Sequence, residues 1–201
     1  MGEDSPIYNS RPPSANINFK RVFLISLIVS LSISALVAIV IFLIGDFGEI
    51  EFRIIATTLT IGLYSLTGLS SSIMLERKKY ASLAFIGMMV SVLGILVTLL
   101  TIWGLVALND DWKIVTIAII LAISIAHASL MLLIESNKPI VKYSLLATLG
   151  FISLVSFILI VLVLLEFGLG STDFAYRLLG VFAVLDILGT IVTPILNKLN
   201  Y

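Results

Sequence analysis

Six long apolar runs separated by short polar connectors make up most of the chain. They fall at about 21–44, 53–75, 81–107, 113–134, 141–165 and 177–197. Each is close to the roughly 20 residues that a helix needs to cross a bilayer. The connectors are GDFGEIEF, ERKKY, LNDDW, ESNKPI and EFGLGSTDFAY. Lipid offers no partner to an unpaired backbone group, so helices are required and open strands are excluded. The runs are also longer than barrel strands need. The pattern predicts an all-α membrane protein with six transmembrane helices. Residues 1–18, MGEDSPIYNSRPPSANIN, show no apolar periodicity and hold three of the five prolines. They read as a disordered tail ahead of a membrane domain at 19–201. The first apolar run starts late, is long and lacks a small-residue cleavage site, so it is expected to act as an uncleaved anchor.

Polar positions between the runs set the orientation. Arg11, Lys20, Arg21, Arg77, Lys78, Lys79, Lys138, Lys142 and Lys198 fall on one side. Arg53, Lys113 and Arg177 fall on the other. Nine against three places both termini in the cytoplasm of a cell-membrane protein. The other face collects acids, among them Asp46, Glu49, Glu51, Asp110, Asp111, Glu166 and Asp173.

The same layout recurs three times. Each unit starts at a basic residue (Lys20, Lys79 or Lys142), crosses outward, turns through acids and re-enters at Arg53, Lys113 or Arg177. The separations are 33, 34 and 35 residues. The re-entry signatures EFRII, DWKIV and AYRLL are alike. This predicts three tandem helical hairpins, units 20–78, 79–141 and 142–201, inserted in parallel.

Composition agrees with the pattern. Of 201 residues, 60% are hydrophobic and 12% charged. A soluble domain has about 25% charged residues, so this chain cannot cover a water-facing globule. Net charge is zero and no basic patch is interleaved with aromatics, which leaves no footprint for nucleic acid. With no cysteine and one histidine, thiolate and multi-histidine metal sites are excluded, and no cofactor is expected.

Helices associate in lipid through small residues and hydroxyls. Candidate seams are Ser26, Ser30, Ser34 and Ala38 in the first run, and Thr57, Thr60, Tyr64, Thr67 and Ser71 in the second. The third offers Gly87, Ser91, Gly94, Thr98 and Thr101; the fifth, Ala147, Gly150 and Ser153; the sixth, Gly180, Ala183, Asp186, Thr190 and Thr193. The fourth is less regular, with Thr116, Ser124, His127 and Ala128. Pro194 removes a donor near the end of the last run and predicts a kink there, with Thr190 or Thr193 near the freed groups.

Candidate chemistry centres on Asp186, the carboxylate set well inside an apolar run. Placing a charge at that depth costs roughly 2.5–3.5 kcal/mol on insertion scales, so it marks a functional candidate. Two readings stay open. Asp186 is a proton or cation site, with His127, Tyr64 and Thr190 nearby. Or it is a hydrogen-bonded Asp that fixes helix pairing. Counted from the re-entry residues, Asp186 lies about 13 Å deep and His127 about 21 Å, so direct pairing calls for tilt or a kink. Counted the same way, the position of Asp186 holds Gly62 and Ala122 in the other two units, which makes the acid peculiar to one copy. HExxH, GxSxG, Walker and dinucleotide patterns are absent. A lone buried acid excludes paired-carboxylate chemistry, so no enzyme is expected.

In layout, three tandem hairpins on about 200 residues resemble the HdeD-type small membrane proteins linked to acid stress. The expected function is a non-enzymatic accessory, assembly or stress-related membrane protein. Its partners would be the bilayer and other membrane subunits or copies of itself. The alternative is a small proton- or cation-coupled transporter or channel using Asp186.

Overall fold

A computed structural model describes residues 19–44, 48–77, 80–105, 111–165 and 173–199. The tail 1–18, the loop acids Asp46, Asp110 and Glu166, and the basic Lys78 and Lys79 lie outside the described residues. Six helices form: α1 (Phe19–Ile44), α2 (Glu49–Glu76), α3 (Ala81–Ile102), α4 (Asp111–Leu132), α5 (Pro139–Leu164) and α6 (Asp173–Lys198). All six are long and apolar enough to cross a membrane. No strand occurs among the described residues. The chain is built as a multi-pass membrane protein.

Local chemistry sets the helix ends. Glu49 and Glu51 sit in the first turn of α2, where negative charge complements the helix dipole. The Gly48 N–H donates to Glu51 Oε2 at 3.1 Å, and Arg53 pairs with Glu49 at 2.6 Å. Pro139 opens α5 at a position where its missing N–H costs nothing. The third helix stops at Ile102, short of the expected 107. Gly104 adopts φ +63°. The Leu105 N–H then bonds the Leu100 carbonyl at 2.9 Å, and the Gly104 N–H bonds that of Thr101 at 3.0 Å. This is a Schellman stop, and glycine enters its left-handed position without steric cost.

The helices pack in series, with α2 and α4 at the centre. Helix α1 lies on α2, α2 meets α3 and α4, α4 meets α3 and α5, and α6 lies on α5. Within the most apolar 18-residue stretch of each helix, 44% is buried in α2 but only 6% in α1 and α6. Close approach depends on glycine. A Cβ at Gly94 would enter the Tyr64 ring, one at Gly68 the Phe23 ring, and one at Gly87 the Ser71 hydroxyl.

One end of the bundle gathers charge. Lys20 at the start of α1 meets Glu76 at the end of α2 at 3.2 Å. The next residue, Arg77, reaches Glu135 at 3.9 Å, and Lys138 Nζ donates to the Leu199 carbonyl. Trp103, Trp112, Tyr80, Tyr143 and Tyr176 sit exposed at or beside helix ends, as interfacial anchors should. Helix α6 runs continuously through Pro194 to Lys198. The nearby hydroxyls are engaged elsewhere: Thr190 donates to the Asp186 carbonyl, and Thr193 bonds Ser144.

Candidate functional site

Interhelical contacts inside the bundle are built from hydroxyls. Ser34 bonds Thr58 between α1 and α2. Between α2 and α3, the Tyr64 hydroxyl meets Thr98 at 3.2 Å and Ser91 donates to the Tyr64 carbonyl at 2.6 Å. Thr67 donates to the Ala122 carbonyl on α4 at 3.1 Å. Ser124 meets Ser156 between α4 and α5. On α6, Thr193 is fully buried and bonds Ser144 at 2.8 Å and Thr148 at 3.3 Å, both on α5. Hydrogen bonds across membrane helices of this kind contribute about 0.6 kcal/mol each.

The fifth-run seam expected from Ala147, Gly150 and Ser153 is not the one used. All three are exposed, and a Cβ at Gly150 would meet nothing within 4 Å. Ser144, Thr148, Ile152 and Ser156 face the neighbours instead. Their spacing of four was the available signal. Small size alone makes a seam only where a neighbour lies, whereas a hydroxyl also supplies the bond that holds one there.

Asp186 faces α4. Its Oδ2 lies 3.8 Å from His127 Nδ1, and His127 Nε2 lies 2.9 Å from Thr190 Oγ1. Thr190, one turn on from Asp186, donates its hydroxyl hydrogen to the Asp186 carbonyl at 2.8 Å. The Asp186 side chain is only 14% exposed and that of His127 29%. The depth difference expected from the re-entry residues shrinks: Asp186 is thirteen residues into α6 and His127 sixteen into α4, which leaves about 4.5 Å between them. The re-entry lysine and arginine were unequal rulers, because α6 begins further ahead of Arg177 than α4 does of Lys113. Tyr64 does not join the group: it is fully buried against Thr98 and Gly94, on a helix not packed against α6.

Thr190 Oγ1 therefore contacts both its own helix and His127, which ties α6 to α4 beside Asp186. The second carboxyl oxygen, Oδ1, is buried without a hydrogen-bond partner among the described residues. No group of three or more His, Asp or Glu side chains able to hold a metal occurs among the described residues. Compared with protein-family models, curated proteins and solved structures, the chain matches none.

Proposed function

We propose that this chain is a non-enzymatic accessory or assembly component of the cell membrane, three tandem hairpins with both termini in the cytoplasm. The carrying observation is the hydroxyl ladder from Ser34–Thr58 to Ser144–Thr193, which engages polar groups of α1 through α6 in holding helices together. Polar groups so engaged are not lined up for a passing ion. The ionic contacts joining Lys20, Glu76, Arg77 and Glu135 at one end support the shared side of the basic loops. Gly62 and Ala122, the counterparts of Asp186, are buried against α1 and α2, and Asp186 faces α4, so each of the three positions meets another helix.

A second reading has its own support. Asp186 Oδ2 lies 3.8 Å from His127 Nδ1 inside the bundle, and the unpartnered Oδ1 is open to another hydrogen bond. A proton-coupled transporter would use that pair. Reconstitution in proteoliposomes separates the two. The accessory reading expects no proton or monovalent-cation flux under an imposed gradient. Flux that disappears in Asp186→Asn would overturn it in favour of transport.

A further inference from the structure

At the end of the bundle where the basic residues gather, a cleft of about 570 Å³ opens between the start of α3 and the start of α5. Its volume is in the range of small-molecule sites, about 300–1,000 Å³. Its walls are divided in character. Leu132, Val141 and Leu149 make an apolar interior, and Tyr80, Ser136 and Lys142 supply the polar groups. From Lys142 to Leu149 is seven residues of helix, so the apolar wall runs about 10 Å into the membrane.

Three features of the cleft select a ligand. Lys142 is exposed on the wall and, among the described residues, stands outside the ion pairs that take up Lys20 and Arg77. The cleft includes the first turn of α5, whose cap residue Lys138 makes no side-chain cap bond, so the positive end of that helix dipole adds to the charge of Lys142. Tyr80 is held at φ +52°, the positive-φ non-glycine residue among those described. That conformation costs roughly 1–2 kcal/mol and sets the ring at the head of α3, on the cleft wall. An anion beside an apolar trough, at the interfacial end of a membrane bundle, is the chemistry of an acidic lipid.

We propose that this cleft binds one anionic phospholipid. Its phosphate lies on Lys142 and the start of α5, near the Ser136 hydroxyl, and the upper part of one acyl chain lies against Leu132, Val141 and Leu149. The inference needs the membrane setting but neither the accessory nor the transport reading. Protein purified in mild detergent and titrated with phosphatidylglycerol or phosphatidylcholine, then weighed intact by native mass spectrometry, tests it. One retained phosphatidylglycerol is expected, favoured over phosphatidylcholine by about fivefold, the effect of one lysine near a lipid surface. Lys142→Gln should abolish that preference, and Lys142→Arg should keep it. Leu149→Trp, which fills the trough, should weaken both lipids alike. Inorganic phosphate at millimolar concentration should not displace the lipid. Equal retention of the two lipids, a preference that survives Lys142→Gln, displacement by free phosphate, or the absence of any adduct would each overturn the proposal.

Discussion

Helices α2 and α6 treat polar residues in opposite ways. Helix α2 is the least apolar of the six spans, yet it is the most buried. Thr58, Tyr64, Ser65, Thr67, Ser70, Ser71 and Ser72 all lie inside the protein. Helix α6 carries the carboxylate of Asp186 but lies at the margin, with most of its length facing lipid. A membrane helix surrounded by helices can be polar, because its neighbours and its own carbonyls bond the hydroxyls of Thr58, Tyr64, Thr67, Ser70 and Ser72, while Ser65 and Ser71 are buried without a partner among the described residues. A helix with lipid on most sides must confine polarity to one narrow face. On α6 that face is Asp186, Gly189, Thr190 and Thr193, which meets α4 and α5. Average hydropathy therefore reports how many neighbours a span has as much as whether it crosses the membrane.

If α2 is the organising helix, damage there should far exceed damage on α6. Tyr64→Ala is expected to cost most, about 3–5 kcal/mol, because it empties a fully buried aromatic site and strands Thr98. Unfolding in detergent followed by circular dichroism would measure it, and a cost below 1 kcal/mol would remove α2 from its central role. Gly94→Val should follow at about 1–3 kcal/mol, since its side chain enters the Tyr64 ring and that ring has no room to retreat. The same assay checks it, and Tyr64→Leu in the same chain should recover part of the loss. On α6, Thr193→Val should cost about 0.6–1.7 kcal/mol by leaving Ser144 and Thr148 without their shared partner. Gly180→Val should stay within about 0.5 kcal/mol of the parent, because the added carbons enter open space. A large loss at Gly180 would mean that α6 is covered by something absent from the isolated chain.

The six spans are legible in the sequence because bilayer thickness fixes helix length. The end of α3 was not, because apolar residues continue past Ile102 while Gly104 turns the backbone. Reading a left-handed glycine there would have placed the stop. Half of the candidate site was legible too. The isolation of Asp186 in an apolar run marks it, and Thr190 follows one helical turn later. That His127 faces it was not, since the facing of two helices is set by packing among all of them. The Tyr64 assignment failed for the same reason: periodicity puts Tyr64 on an inner face of α2 without saying which neighbour covers that face. The cleft beside Lys142 had no signal in the sequence, because it is a gap between elements and not a property of any one of them.

The account holds that polar groups inside this bundle bind helices together, Asp186 included. A double-mutant cycle on stability tests that most directly, with Asp186→Asn, His127→Ala and both together. A stabilising coupling of about 0.5–2 kcal/mol between the two positions is expected, with each single variant less stable than the parent. Zero coupling, or single variants more stable than the parent, would contradict the account and mark Asp186 as a residue retained against the interest of folding.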